Sequence, residues 1–403
     1  MHDTTMDNRL KVIDLGRVIP YILYLGAFTS SISIAGINAV IAIFTILFLY
    51  DLYKTKEWKN IDVDFSLFAL VYSWKGITVL INGVFSFFVE IREIWDKFLY
   101  ILIGRFSIAK DVLDKTLHTL FMTNNLLICW AILQKYFGAP YIFQRLWVEM
   151  FEERLIGYFG HPLHYGGYIS LVFMVCLTLS IFYKKEYAYY LPLLLTGLVY
   201  SGSRSYFLSV ALTVILITPF KSRKFFVSSL MIIPTLFAVY FFAFSGFRNR
   251  MERIFEVDFA SRLKYWEIAW DTFKDNPFFG VGYNQLTFIL KKFSAEGIIH
   301  NPSHAHNLYL QELAEGGVIG LLIMLFLFVY FMRKYLTLFK EEKERNPYLG
   351  AIYIGLFGCY INLAIAGIFE YNFGAEVVWA QLTFMMGLAE GFRKWSKEAL
   401  STT

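Results

Sequence analysis

Long apolar segments separated by short basic connections are the feature that most limits what this chain can fold into. A helix needs about 20 apolar residues to cross the hydrocarbon core of a membrane, and by that length the chain holds about twelve segments. We therefore predict an all-α polytopic membrane protein that forms a single integral membrane domain over residues 1–403. The segments lie near residues 18–32, 35–53, 65–82, 86–104, 117–137, 164–183, 187–201, 204–220, 225–245, 307–332, 348–369 and 374–392.

Composition excludes a soluble domain of this size. Hydrophobic residues make up 57% of the 403 residues and charged residues only 17%, so too few polar side chains are present to cover an aqueous surface. Cys129, Cys176 and Cys359 lie within apolar segments and lack metal-ligand spacing, which argues against a disulfide framework and a zinc site. Because Met1 to Lys11 is polar, we expect no cleavable signal peptide.

Two segments depart from a simple apolar helix. The first two share one apolar run that is broken around Ser30, Ser31 and Ser33. The fourth, 86–104, is interrupted by charges, so it either lines an internal cavity or lies at the membrane interface. These charges are Glu90, Arg92, Glu93, Asp96 and Lys97.

The placement of lysine and arginine predicts the topology. Basic residues precede the first segment and occupy every second connection after it, as expected of cytoplasmic connections. Both termini are therefore predicted to be cytoplasmic. Two long loops, 138–163 and 246–306, fall on the external side, and the larger one lies between the ninth and tenth spans.

The larger external loop has a helical pattern. Asp258 or Ser261 could cap a helix that continues to Phe273, since apolar residues recur there at three- and four-residue spacing. Asp275-Asn276-Pro277 ends this helix, and Gly280-Val281-Gly282-Tyr283 is predicted to be a turn. A second short helix is predicted over 286–293.

Polar residues converge where this loop meets the tenth span. His304, His306 and Asn307 stand at the start of that span, where apolar packing alone gives no reason for them. Arg204, at the mouth of another span, and Arg262, in the loop, indicate that the molecule handled there is an anion, because guanidinium groups match phosphate oxygens.

Three motifs resemble those of bacterial O-antigen ligases, within the superfamily of ligases and polymerases that act on undecaprenyl-linked glycans. Ser201-Gly202-Ser203-Arg204-Ser205 opens a span, as the external Ser-Arg motif of that family does. Ser261-Arg262, followed by Trp266 and Ala269, resembles its loop arginine motif. His306-Asn307, nine residues, Gly317, two residues and Gly320 fit its His-Asn pattern without a gap.

The resemblance implies transfer of a glycan from undecaprenyl pyrophosphate to a sugar hydroxyl of lipid A–core, in lipopolysaccharide biosynthesis. Arg204 and Arg262 would stabilise the departing pyrophosphate, and His306 would accept the proton of the attacking hydroxyl. No acidic metal motif stands in the external loops, so we expect a metal-independent, inverting reaction without a cofactor. The enzyme would lie in the bacterial inner membrane with its site on the periplasmic face, surrounded by membrane lipids and without a nucleic-acid partner.

Several residues near these motifs have more than one interpretation. His306 could position the acceptor rather than act as a base, and Asn307 could either cap the tenth span or position substrate. Lys264 could contact substrate or anionic headgroups, and His304, His161 and His164 could contact substrate or only shape their loops. Three glycines, Gly316, Gly317 and Gly320, are interpreted as helix-packing positions.

Three other functions stay open from the sequence. An O-antigen polymerase would use a lipid-linked glycan as acceptor, and the motifs hardly separate it from a ligase. A protein O-oligosaccharyltransferase or a secondary transporter fits less well, since we detect neither a further soluble domain nor an internal repeat.

Overall fold

The computed structural model describes residues 15–56, 63–82, 95–140, 145–150, 152–252, 257–297, 299 and 303–401. These residues form an almost entirely helical protein, which confirms the predicted fold class. In chain order the helices are α1 (Leu15–Ile32), α2 (Ile34–Thr55), α3 (Val63–Ile81), α4 (Leu99–Gly104), α5 (Lys110–Phe137), α6 (Pro162–Phe182), α7 (Leu191–Tyr200), α8 (Arg204–Ile217), α9 (Arg223–Ala243), α10 (Ser245–Glu252), α11 (Val257–Asp275), α12 (Gln285–Ala295), α13 (Leu308–Glu342), α14 (Pro347–Ala366) and α15 (Glu376–Ser401). Two short strands, β1 (Trp147–Met150) and β2 (Glu152–Leu155), stand between α5 and α6.

Eight helices of the described residues are long and apolar enough to cross a membrane: α1, α2, α3, α5, α6, α9, α13 and α14. Arg204–Phe220 is a shorter apolar helix. The predicted segment 187–201 contains the ten-residue α7. All but the first two residues of 374–392 lie in α15, which continues into a charged end. The total of twelve spans stays a prediction.

Only part of the doubtful fourth segment, 86–104, can be compared with the structure. A single 3-10 turn over Trp95–Phe98 leads into α4, and the side chain of Lys97 is buried. Glu90, Arg92 and Glu93, and the side chain of Asp96, lie outside the described residues. The break predicted between the first two segments is confirmed, because Ser33 separates α1 from α2 and caps α2 through a bond from Gly36 N.

Helices α6 and α14 form the centre of the bundle. They pack directly against each other, and most residues of both are buried. A Cβ atom on Gly355 of α14 would lie only 2.5 Å from Thr178 Oγ1 of α6, so the glycine allows this close helix contact. Helix α14 also packs against α13 and α8, whereas almost all residues of α9 are at least partly exposed at the surface of the bundle.

Helix α13 is broken at Gly317, near its N-terminal end. Gly317 has φ 66° and ψ −171°, which is not helical and which residues with a Cβ rarely adopt. The helix-packing interpretation is therefore wrong for Gly317, although Gly320 does pack closely, with its Cβ position 3.0 Å from Trp74 Nε1 of α3. The break divides α13 into a short segment over 308–316, on the side of the membrane predicted to be external (the external segment), and a long apolar segment.

The turn after α11 docks into this break. Val281 N donates to Ala314 O at 2.9 Å, Gly282 N donates to Glu315 O at 3.0 Å, and Val318 N donates to Pro277 O at 2.8 Å. These bonds satisfy backbone groups that the broken helix would otherwise leave without partners. The predicted turn at Gly280–Tyr283 is thus confirmed, and its physical role is to hold the external loop on α13.

Helix α3 fixes the same external segment from the other side. Trp74 Nε1 donates to Gly316 O at 2.9 Å, and the buried Lys75 Nζ pairs with Glu312 Oε1 at 3.2 Å. A buried ion pair of this kind costs stability when one partner is lost, so it specifies one position of α3 against α13.

The loop over 138–163, which is predicted to be external, contains a structure that the sequence patterns did not predict. Strands β1 and β2 pair antiparallel, with Trp147 opposite Leu155. Trp147 Nε1 donates to Ala131 O of α5 at 2.8 Å, and the buried Arg154 Nε donates to Ser201 O at 2.8 Å. The hairpin therefore ties the turn before Arg204 to the end of α5.

Candidate active site

His306 stands at the start of α13, where three contacts fix the backbone. Asn307 caps the helix, because its Oδ1 accepts bonds from Tyr309 N at 2.9 Å and Leu310 N at 3.0 Å. Leu308 N donates to Gly367 O at 2.7 Å, which joins the start of α13 to the end of α14. Of the two interpretations of Asn307, the structure shows the cap, and contact with substrate stays a prediction.

The backbone of His306 is itself unusual. Its φ is 51°, a left-handed value that costs energy for a residue with a Cβ and is often found at functional sites. His304 stabilises this turn, since its Nδ1 accepts a bond from His306 N at 3.2 Å. The centroids of the two imidazole rings are 4.2 Å apart.

The buried carboxylate of Glu370 contacts two of the predicted catalytic residues, Arg262 of α11 and His306 at the start of α13. It lies in the short connection between α14 and α15, and its side chain is 4% exposed. Its Oε2 is 3.2 Å from His306 Nδ1, and its Oε1 is 3.0 Å from Arg262 Nη2. The structure therefore brings His306 and Arg262 together through a third residue.

The surroundings of Glu370 keep it ionised. Burial on its own raises the pKa of this carboxyl, but the hydrogen bond from His306 and the charges of His306 and Arg262 outweigh burial and lower the pKa to about 2. Because a carboxylate only accepts hydrogen bonds, the Nδ1 of His306 carries the proton in this pair. The Nε2 of His306 is then an acceptor when the ring is neutral.

Arg262 reaches the connection from α11. Besides Glu370 it contacts Phe369, with Nη1 donating to the Phe369 carbonyl at 2.8 Å. Two N–H groups of the guanidinium are used in this way, out of the five that an arginine carries. The side chain is 22% exposed, so it stands at the edge of the site rather than in the core.

Arg204 is the first residue of α8 and is half-buried. The turn before it packs closely on α6, since a Cβ on Gly166 would lie 2.9 Å from Ser203 Cβ. Two residues further, Tyr206 also packs on α6, since a Cβ on Gly167 would lie 2.8 Å from Tyr206 Oη. A contact between Arg204 and substrate stays a prediction.

The two histidines of the smaller loop lie at the start of α6, near the same connection. His161 caps α6 by accepting a bond from Leu163 N at 3.2 Å, and its ring centroid is 5.5 Å from that of His164. Burial, assisted by the charges of His164 and Arg154, lowers the pKa of His161 to about 4. Among the described residues, no group of three or more His, Cys, Asp and Glu side chains could hold a metal ion.

Lys264 is the predicted site residue that stands apart from these contacts. It lies exposed on α11, two residues after Arg262. The positions of substrate and of headgroups relative to this side chain stay predictions.

Sequence reasoning missed two residues. Glu370 is the single charge in the short connection Phe369-Glu370-Tyr371-Asn372 between two apolar spans, on the side of the membrane predicted for His306, and that isolation was a usable signal. Arg154 is a buried arginine in a loop, and a single sequence contains no signal that it contacts Ser201.

Comparison of the sequence with known families gives a match. Residues 189–325 match the family model described as O-antigen ligase. This segment, about a third of the chain, is similar to the O-antigen ligase family. No curated protein matches the chain.

The O-antigen ligase match covers Arg204, Arg262, His306, Gly317 and Gly320, but it ends before Glu370. The carboxylate is thus added to the site by the fold, outside the matched segment. The match supports the superfamily of O-antigen ligases and polymerases, and the eight long apolar helices are consistent with a multi-pass membrane protein.

Proposed function

We propose that the protein is an O-antigen ligase that moves a glycan from undecaprenyl pyrophosphate to a sugar hydroxyl of lipid A–core. The observation that carries this proposal is the bridge that Glu370 makes between His306 and Arg262. Through this bridge, one carboxylate orients the imidazole of His306, the proposed base, and holds the guanidinium of Arg262 close to it. Transfer from a pyrophosphate donor requires both groups.

In the proposed reaction His306 acts on the acceptor. With Nδ1 held by Glu370, Nε2 accepts the proton of the attacking hydroxyl as its oxygen bonds to the anomeric carbon of the donor sugar. The ionised Glu370 then stabilises the imidazolium, as an oriented carboxylate does behind a catalytic histidine. The sugar–phosphate bond breaks on the opposite side, so the configuration at the anomeric carbon inverts.

The leaving group is assigned to the arginines. The pyrophosphate takes the electron pair of the broken bond, and Arg262 and Arg204 donate hydrogen bonds to its oxygens. Guanidinium groups stay charged at every physiological pH, so no metal ion is needed for this stabilisation. The proposal places the reaction on the periplasmic face of the bacterial inner membrane, with both termini in the cytoplasm.

Complementation of two bacterial strains tests the proposal. The chain is expressed in one strain that lacks its ligase and in another that lacks its O-antigen polymerase, and lipopolysaccharide is separated on a gel. We expect a ladder only in the ligase-deficient strain, and this ladder should disappear with His306→Ala, Arg262→Ala or Arg204→Ala. A ladder only in the polymerase-deficient strain would instead make a lipid-linked glycan the acceptor.

A further inference from the structure

A polar cavity lies next to the histidine pair, between α12 and the external segment of α13. Its volume is about 120 Å³, whereas one water needs about 10–15 Å³ measured in the same way, so it has room for a sugar ring. His304 and Tyr371 form the wall nearest the candidate active site. Asn284 and Thr287 of the α12 side and Gln311 and Glu315 of α13 are also part of the lining.

The lining suits hydroxyl groups and not phosphate. Amide, hydroxyl, phenol and carboxyl groups supply both donors and acceptors, and no lysine or arginine lines the cavity within the described part of the chain. His304 adds a donor. Burial and the charge of His306 lower its pKa to about 3, and its Nδ1 accepts from His306 N, so Nε2 carries the proton.

The polar groups are held in place before any ligand binds. Gln311 Oε1 accepts from Ala305 N at 2.9 Å, and Gln311 Nε2 donates to Glu315 Oε1 at 2.8 Å. Thr287 Oγ1 donates to Ser303 O at 2.7 Å. Preorganised groups of this kind reduce the entropy lost when a ligand binds.

The backbone also indicates a functional cavity. Only three non-glycine residues of the described chain have positive φ, and two of them are His306 and Asn284. Asn284 has φ 60° at the start of α12, although its side chain makes no capping bond there. Its Oδ1 lies 3.2 Å from Thr287 Oγ1, and the side chain is part of the cavity lining.

We propose that this cavity binds the sugar residue of the acceptor that carries the attacking hydroxyl. The inference rests on the proposed function and names a subsite for it. His304 lines the cavity and its ring centroid is 4.2 Å from that of His306, so the cavity lies one side chain away from the proposed base. Arg262 faces Glu370 and Phe369, and that flank is left for the donor pyrophosphate.

Two substitutions test the subsite without touching the proposed catalytic residues. Asn284→Gly removes the amide and keeps a residue that accepts positive φ. Its matched control is Lys56→Gly, because Lys56 also has positive φ (55°) and lies at the C-terminal end of α2. Ser303→Trp places a large ring at the exposed edge of the cavity, and Ala295→Trp adds the same ring to an exposed site at the end of α12.

The measurement is steady-state transfer by the full-length protein in detergent, with undecaprenyl-pyrophosphate-linked glycan and lipid A–core from a ligase-deficient strain. For Asn284→Gly we expect the KM for lipid A–core to rise about tenfold, the effect of one or two lost hydrogen bonds, with the donor KM unchanged. Ser303→Trp should raise the acceptor KM at least as much. Both controls should resemble wild type, and size-exclusion profiles show that each variant is folded.

Other results would overturn the subsite. An unchanged acceptor KM in both variants, or a lower kcat with unchanged KM, means that the cavity does not bind the acceptor. A raised donor KM with normal acceptor KM would assign the cavity to the first sugar of the donor instead. If the wild-type protein itself transfers nothing to lipid A–core, the proposed function is wrong. This result differs from failure of the subsite alone, in which the wild type is active and the variants have an unchanged acceptor KM.

Discussion

Glu370 Oε2 lies 3.2 Å from His306 Nδ1, although the two residues are 64 positions apart in the chain. The contact gives the imidazole one orientation and one tautomer. The neighbouring contact with Arg262 ties the same carboxylate to α11. A single acidic side chain therefore links the external loop, the start of α13 and the connection after α14.

Replacing Glu370 with glutamine should lower kcat for glycan transfer by roughly 10²–10⁴-fold, as loss of an orienting carboxylate does behind a catalytic histidine. The amide is nearly the same size, but it neither fixes the Nδ1–H tautomer nor stabilises the imidazolium. The control is Glu376→Gln, since Glu376 Oε1 accepts from Asn38 Nδ2 and a glutamine can keep that bond. Equal activity in the two variants would remove Glu370 from the mechanism.

Arg262→Lys should be almost as inactive as Arg262→Ala, with a loss of about 10²-fold or more. Arg262 contacts the Phe369 carbonyl and Glu370 through two separate nitrogens, and one ammonium group cannot reproduce that fork. Lys274→Gln, at an exposed position near the end of the same helix, is the companion variant and should change transfer less than threefold. Activity in Arg262→Lys near that of wild type would show that only positive charge is needed.

Gly317→Ala and Gly280→Ala should destabilise the fold, each by roughly 2 kcal/mol or more. Both residues have φ 66°, and the added Cβ atoms would lie 2.2 Å from Phe278 O and 2.3 Å from the carbonyl carbon of Glu315. Gly76→Ala is the control, because nothing lies within 4 Å of its Cβ position. Melting in detergent measures all three, and a Gly317→Ala protein as stable as Gly76→Ala would contradict the break in α13.

Stability should fall as pH is lowered from 7 to 5, and His304→Asn should reduce that slope. The pKa of His304 is lowered from 6.5 to about 3 in the folded protein, chiefly by burial, so between these values the unfolded chain binds the extra proton and acid favours unfolding. At pH 5 the contribution is on the order of 1–2 kcal/mol. Asparagine can still accept the bond from His306 N.

The matched control for this pH series is His118→Asn, since His118 is a histidine on α5, outside the candidate active site. Melting temperatures at pH 5, 6 and 7 give the slopes. The pKa of His161 is also lowered, to about 4, so part of the dependence of melting temperature on pH should remain in the His304→Asn variant. The same slope in His304→Asn and wild type would mean that His304 is not buried in its neutral form.

The helices of this protein follow from its sequence, because each depends on residues close together in the chain. Apolar length predicts α1 to α3, α13 and α14, and Asp275-Asn276-Pro277 predicts the end of α11. The capping ability of Asn307 and the turn at Gly280–Tyr283 are local in the same way. The motifs around Arg204, Arg262 and His306 also predict the resemblance to O-antigen ligases without knowledge of the fold, and the match over residues 189–325 supports it.

Only the tertiary structure brings Glu370 to His306, Arg154 to Ser201, and the turn after α11 into the break at Gly317. Each of these contacts depends on how helices distant in sequence pack against one another, and hydropathy or periodicity within a segment contains no information on that packing. A lone acidic residue between two spans and a glycine in an apolar helix therefore have several local explanations. Burial, distance and backbone angle decide between them, and these exist only once the bundle has formed.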